Sequence, residues 1–337
     1  MDEMEHYNIY LGTDRVHIEI ERECIDFENW NGELAFDSSE MEVASLLSES
    51  YRCSVRRCED VAEIIKSVLP FLGIQKEAFL FCGMYRNTYY TVNGQYGLFA
   101  RTDLHEKTIR IDVKAGLISN QSMYFIRSII REHALRLLFA AKKIPVHAAA
   151  VLDHAGRCLL IAGDSGTGKS SATWHFLQQG YRLMSDDISV CLPSIGKIAG
   201  YGCALYVRPD FVERYPISQY SEVSKKRKCR IPVLDGVMAL SEPSGMVLMQ
   251  PYTGGEAAFW ELTPSKAKAQ FLDIHKNWCK TQAEKDQLTE QSECLTGSLP
   301  YIGALRLGAH MEAAVANVTE QIRRAAAAQS CISAGME

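Results

Sequence analysis

No stretch of this 337-residue chain approaches 18 uninterrupted apolar residues, so no membrane-spanning helix is expected. No CxxC pair occurs among its eleven cysteines, whose number is odd and whose positions are scattered. Ordinary thiols, several of them buried, are expected instead of disulfides or a metal cluster. The opening MDEMEHYNIY lacks the basic-then-apolar layout of a signal peptide, which makes a cytoplasmic location the expectation. Internal repeats and low-complexity segments are missing as well. Basic residues, 36 against 41 acidic, are unevenly placed. Residues 1–50 carry 14 acidic and 2 basic side chains, a net of −12, so with −5 for the whole chain the other 287 residues carry +7. That mild positive balance suits an anionic ligand and is too weak to indicate nucleic acid.

The length allows one large domain or two ordinary ones. Residues 1–118 hold short alternating runs (YNIYLG, RVHIEI, TIRIDV) and helical signals at Met41–Leu47 and Val61–Leu69, which predict a small α+β region of unstated role. From Ser122 to Ala141, apolar residues at Met123, Ile126, Ile130, Ala134, Leu137 and Leu138 recur at helical spacing. That helix opens a second region, 119–337, and leads into IPVHAAAVL, a β-rich run. Next, Arg157–Ala162 reads as a buried strand, Ser170–Gln179 as a helix capped by Gly180, and Leu183–Met184 as the start of a strand ending on Asp186 and Asp187. Further on, Val233–Leu240 and Gly245–Gln250 predict strands, and Thr263–Phe271 and Met311–Ala328 predict helices.

Between that strand and helix stands Gly163-Asp164-Ser165-Gly166-Thr167-Gly168-Lys169-Ser170, followed by Ser171, which fits GxxxxGK[ST] at every fixed position. The glycines let successive N–H groups turn inward on phosphate, the lysine reaches the terminal phosphates, and the serine hydroxyl can ligate magnesium. The start of the following helix adds its positive end. At an average glycine usage of roughly 7%, a random chain of this length shows the pattern about once in a hundred. The strand–loop–helix setting makes ATP with Mg²⁺ the expected ligand.

Asp186 and Asp187 lie 17 and 18 residues beyond Lys169, a spacing that a helix, a turn and a strand fill. One carboxylate near the loop can hold magnesium, as in phosphate-loop enzymes generally. Adjacent side chains on a strand point to opposite faces, so the second has another use open to it. A serine hydroxyl is a poor nucleophile, and a carboxylate placed to take its proton remedies that. The competing reading is that both organise magnesium.

Taken together, His147 followed by AAAV, then LLIAGDSGTGKSS, then GYRLMSDD, resembles the HPr kinase/phosphorylase family over about 40 residues. The resemblance implies the fold shared with ATP-dependent phosphoenolpyruvate carboxykinases, a P-loop kinase core behind the small N-terminal region. It further implies that Lys169 binds phosphate, Ser170 ligates magnesium with Asp186, Asp187 accepts a proton, and His147 lies in the active site. Apart from the resemblance, a histidine entering an apolar run also fits a satisfied core residue. Homo-oligomers occur among the family, so self-association is a further implied partner. The full HPr kinases also carry a later arginine- and glycine-rich signature with a magnesium-binding glutamate. Here the region reads GYGCALYVRPDFVERY, with Glu213 as a loose positional match, which speaks against HPr as substrate and against phosphorolysis. The pattern is closer to the shorter HPr-kinase-like proteins, among them kinases that phosphorylate a serine of lasso-peptide precursors.

Lys225-Lys226-Arg227-Lys228-Cys229-Arg230 is the densest basic run. It reads as a solvated loop, or as a source of charge for the transferring phosphoryl group, with Arg227 and Arg230 favoured because guanidinium holds phosphate oxygens in a fork. Tyr220 alone is thin aromatic support for nucleic-acid binding. Arg208 in YVRPD is a candidate neighbour of the nucleotide. His133, His175 and His275 lack mutual metal-ligand spacing and read as core or surface residues. The expectation is an ATP-dependent kinase acting on a serine hydroxyl of a peptide or protein. A small-molecule hydroxyl kinase and a non-catalytic ATP-binding sensor are the alternatives.

Overall fold

The computed structural model describes residues 4–12, 14–21, 24, 49–68, 70, 80–94, 97–114, 120–202, 204–215, 217–223, 228–233 and 238–334. The helical signal at Met41–Leu47 lies outside them. The architecture is mixed α/β, and the chain divides into two compact units: Met1–Tyr10 with Asp14–Lys142, and Leu11–Thr13 with Lys143–Glu337.

In the first unit, strands β1 (Met4–Leu11), β2 (Asp14–Glu21) and β3 (Glu49–Cys58) precede helix α1 (Val61–Val68). Strands β4 (Leu80–Tyr85), β5 (Thr88–Asn93), β6 (Leu98–Asp103) and β7 (Thr108–Lys114) and helix α2 (Asn120–Ala140) follow. The strands form one sheet of order β1-β2-β3-β7-β6-β5-β4, parallel across β2, β3 and β7 and antiparallel from β7 to β4. Alternation along β2 puts Val16, Ile18 and Ile20 in the core and leaves Arg15, His17 and Glu19 on the open face.

The helical stripe on α2 buries Ile126, Ile130, Ala134, Leu137 and Leu138, as its spacing predicts, against β5, β6 and β7. Polar ties reinforce this packing. Thr102 Oγ1 meets His133 Nδ1 at 2.5 Å, Tyr89 donates to Glu132, and the Arg136 guanidinium lies 5.7 Å from the Tyr89 ring centre. The division between units therefore falls after Lys142, and α2, placed by the sequence reading at the head of the 119–337 region, packs with the N-terminal unit.

The second unit opens with β8 (Ile144–Val146), β9 (Ala148–Leu152), β10 (Cys158–Ala162), α3 (Lys169–Gln178), β11 (Arg182–Ser185), β12 (Ser189–Leu192), β13 (Lys197–Tyr201) and β14 (Ala204–Val207). After these come α4 (Pro209–Arg214), β15 (Ser221–Val223), β16 (Lys228–Pro232), β17 (Met238–Ser241), β18 (Pro243–Gln250) and β19 (Ala258–Glu261). Helices α5 (Pro264–His275) and α6 (Gln282–Ser298), strand β20 (Ile302–Arg306) and helix α7 (Met311–Ala334) complete it. The central sheet has the order β11-β9-β10-β18-β20-β19, flanked by the small sheets β17-β13-β12-β8 and β14-β16-β15.

Residues of β9 and β10 are buried on both faces, which explains why AAAVL and CLLIA read as unbroken apolar runs. On one face, Val151, Leu159, Ile161, Val247 and Leu305 meet Phe176 of α3 and Val315, Val318 and Ile322 of α7. On the other, α5 packs over β18 and β20.

Strand direction is what positions the candidate site. β10, β18 and β20 run parallel, while β9 is antiparallel to β10 and β11 antiparallel to β9. The ends of β10, β11, β18 and β20 and the beginning of β9 thus share one edge of the sheet. In open α/β sheets, ligands bind outside the carboxyl ends of the strands.

Candidate active site

The Gly163–Ser170 loop leaves this edge between β10 and α3. Gly166 and Gly168 have φ of 87° and 93°, the left-handed region in which a side chain is strained. Close approach fixes two glycines as well. A Cβ on Gly163 would stand 2.6 Å from Thr167 Oγ1 and 2.7 Å from Met249 Cβ, and one on Gly168 would overlap Leu307 Cδ1. Thr167 braces the curl through its hydroxyl, 2.8 Å from the Asp164 carbonyl. No side chain caps the start of α3, leaving its N-terminal end to the loop.

Lys169 is buried beneath the loop and donates to the carbonyls of Gly163 (2.8 Å) and Asp164 (3.3 Å). Burial lowers its pKa, opposed by the charges of Asp187 and Asp186. The ammonium is thus held in place by acceptors of modest strength and two nearby anions.

Register brings the remaining predicted residues to the same place. Ala162, the last residue of β10, pairs with Ala148, so His147 stands next to Gly163 across the ladder. Ser185 pairs with Ala150, which sets Asp186 and Asp187 just past the end of β11 on that edge. The two carboxylates then diverge. Asp186 turns inward: its Oδ2 accepts the Tyr206 N–H at 3.0 Å, and the Ser170 hydroxyl favours its charged form. Its Oδ1 is buried with no hydrogen-bond partner among the described residues. Burial, and then the charge of Asp187, push the Asp186 carboxyl up to about 6. Asp187 turns outward, with 47% of its side chain exposed, and its Oδ1 lies 3.0 Å from His147 Nε2.

A hard divalent cation suits the inner carboxylate. It would give the orphaned Oδ1 a partner, relieve the disfavoured charge, and draw a second oxygen from Ser170, the donor set that Mg²⁺ takes.

His147 is itself held from behind. Its backbone N–H donates to His275 Nε2 at 2.7 Å, and His275 Nδ1 donates to the Phe271 carbonyl, also at 2.7 Å. Those two bonds define the neutral Nδ1–H tautomer of His275, and burial lowers its pKa to about 3. The Trp278 ring stacks on His147 with centroids 5.0 Å apart and planes 24° from parallel. Sequence reasoning placed His275 among core or surface histidines. It is buried, and it also supports the site residue His147. No sequence signal marks Trp278, because its partner lies 131 residues away along the chain.

The basic run divides. Lys225, Lys226 and Arg227 lie outside the described residues. Lys228, passed over in favour of the arginines, acts electrostatically on both Asp186 and Lys169. Arg230 is half-buried on β16 opposite Tyr206, and its Nε is buried without a partner among the described residues. Arg208, at the start of α4, brings Nη2 to within 3.8 Å of where a Cβ on Gly166 would stand. Glu213 is an exposed residue of α4, while Asp164, Ser165 and Gly166 form the exposed crest of the loop and Ser170 and Ser171 are half-buried behind it. No family model matches the chain, and no curated protein shows a significant sequence match to it.

Proposed function

We propose that the C-terminal unit is an ATP-dependent kinase that transfers the γ-phosphoryl group to a serine hydroxyl of a peptide or protein. On this reading, its core is of the P-loop kinase type shared by HPr kinases and phosphoenolpyruvate carboxykinases. One observation carries the proposal: the two adjacent aspartates do different things. Asp186 faces Ser170 with an unpartnered buried oxygen, and Asp187 faces solvent with a histidine on its flank. A nucleotide sensor has use for the first arrangement and little for the second.

In the proposed reaction the loop amides and Lys169 hold the phosphates of ATP. Ser170 and Asp186 hold Mg²⁺, which when bound would neutralise charge on the terminal phosphates. Asp187 accepts the proton of the incoming hydroxyl as the new O–P bond forms. The bond from the γ-phosphorus to the β–γ bridging oxygen breaks, ADP leaves, and the proton on Asp187 returns to solvent. His147 donates to Asp187 Oδ1 and fixes its direction, with its own ring plane held by Trp278. Arg230, Arg208 and Lys228 supply positive charge around the transferring group. The exposure of Asp187 at an open sheet edge supports an acceptor carried on a chain.

The test is transfer from γ-labelled ATP with Mg²⁺ into a panel of serine-containing peptides and metabolites, with wild type beside Asp187→Asn and nucleotide binding measured for both. The proposal expects label in a peptide with wild type only, and ATP binding by both proteins. Label in a metabolite alone would make the protein a small-molecule kinase. Tight ATP binding with no transfer to any acceptor would favour the sensor.

A further inference from the structure

On the open face of the first unit, outside the site described above, three side chains gather on the two neighbouring strands β1 and β2. We infer that His6, His17 and Glu19 form a binding site for a first-row transition-metal ion, Zn²⁺ foremost. Their ligand atoms all lie within 4.8 Å of one another.

Alternation supplies the placement. His17 and Glu19 are two residues apart on β2, and His6 and Asn8 are two apart on β1, so each pair shares a face of the sheet. His6 Nδ1 and His17 Nε2 stand 3.4 Å apart. Two nitrogens bound tetrahedrally to one zinc ion at ~2.0–2.1 Å stand roughly 3.3–3.4 Å from each other. Glu19 Oε1 is 4.0 Å from His17 Nε2, on a side chain 40% exposed, and has to close by ~0.6 Å. The two rings are stacked, with centroids 5.4 Å apart and planes 18° from parallel, so the exposed His6 ring has to turn about its broad χ2 torsion, moving its Nδ1, to aim its lone pair at the shared point.

A second observation is independent of these distances. His17 Nδ1 lies 3.1 Å from Asn8 Oδ1, an oxygen that can only accept. The proton is therefore on Nδ1, and Nε2 presents a lone pair to His6 and Glu19. This is the outer-shell support that metal-bound histidines carry. Two imidazoles and one carboxylate favour zinc, nickel or copper over magnesium or calcium, which take oxygen. Arg52 on β3 is the ladder partner of His17 and opposes a cation, so the carboxylate of Glu19 has to carry the charge balance of the site. Three protein ligands leave a fourth position open to water. An ion there fastens the edge strand β1 to β2 by bonds that backbone pairing alone does not supply.

The experiment uses the full chain without a histidine tag, stripped with a chelator and titrated with Zn²⁺ against a chromophoric indicator. Wild type is compared with His6→Gln, His17→Gln and the double variant, with circular dichroism to verify that each is folded. One equivalent is expected to bind wild type, at least tenfold more weakly to each single variant, and not to the double variant. Co²⁺ is expected to give visible d–d bands in wild type alone, and millimolar Mg²⁺ not to compete. Two results would overturn the inference. One is no Zn²⁺ bound by wild type at about 100 µM, which would make the pair a hydrogen bond only. The other is equal binding by the folded double variant, which would place the ion on thiols such as the exposed Cys294.

Discussion

His275 offers the sharpest test of the packing behind the candidate site, through the pH dependence of stability. The residue is fully buried, and its two ring nitrogens are used by the His147 N–H and the Phe271 carbonyl. Burial lowers its pKa from the ordinary 6.5 to about 3. The folded protein therefore resists protonation that the unfolded chain accepts. Stability from this group is complete above pH 6.5 and is lost as pH falls toward 3, at about 1.4 kcal/mol per pH unit. Replacing His275 by leucine removes that slope and leaves the buried His147 N–H unpaired, at a cost of about 1–3 kcal/mol, while the Phe271 carbonyl keeps its bond within α5. If the total cost is about 3 kcal/mol at pH 7.5, the stability curves of variant and wild type converge below pH 6.5 and cross near pH 4–4.5. Urea unfolding followed by tryptophan fluorescence suits the assay, since Trp174, Trp260 and Trp278 all belong to the second unit. Groups common to both proteins cancel in the difference. A gap that stays constant from pH 7.5 to 4.5 would refute the reasoning, because it would mean that His275 titrates normally in the fold.

Four further outcomes follow from the same geometry. Metal-free Asp186→Asn is expected to melt above wild type at pH 8, since burial raises this carboxyl to about 6 and disfavours its charge, with the difference vanishing near pH 4. The same variant is expected to lose Mg²⁺-dependent stabilisation in thermal melts. Gly168→Ala combines a φ of 93° with overlap of Leu307, so a loss of about 1–3 kcal/mol and of nucleotide binding is expected by calorimetry. For Asp187→Asn, label transfer is expected to fall by about 10²–10⁴-fold with ATP affinity nearly unchanged, as measured in the binding and transfer assays together.

How much of this was legible in the sequence differs by the range of the contact involved. The loop, its strand and its helix are local, and the structure places them within a residue or two of the expected bounds: β10 spans Cys158–Ala162 and α3 spans Lys169–Gln178. Alternating runs near the N-terminus became β1, β2 and β7 for the same reason. The helical stripe on α2 was legible, but the face it covers was not. Periodicity says that a helix buries one side and is silent about which sheet receives it. His275, Trp278, Lys228 and Leu307 reach the site only through strand order and helix packing, so nothing near them in the chain announces it. Within the basic run, weighing guanidinium against ammonium by donor geometry favoured Arg230 and passed over Lys228. What brings Lys228 to Asp186 is the pairing of β16 with β14, a long-range fact.

That same long-range pairing explains why three motifs spread over 40 residues can act as one site. A histidine at position 147, a loop at 163–170 and carboxylates at 186–187 would be useless together if β9 ran parallel to β10, since His147 would then sit at the far end of the sheet. Because β9 is antiparallel to both β10 and β11, its beginning coincides with their ends. The alanines of β9 contribute to this. Ala148 and Ala150 are the ladder partners of Ala162 and Ser185 and have no exposed surface, and small side chains keep the core between the strands and their covering layers thin. An Ala150→Leu substitution is therefore expected to act at a distance. Overpacking by three carbons at a buried site costs about 1–3 kcal/mol and displaces β11 against β9. The displacement changes the His147–Asp187 separation, now 3.0 Å, while the Gly163–Ser170 loop keeps its own bracing through Thr167 and Lys169. Label transfer should fall in this variant while nucleotide binding holds. A variant that loses both in proportion would show instead that loop and carboxylates are coupled through the core, and that the sheet edge does not position them separately.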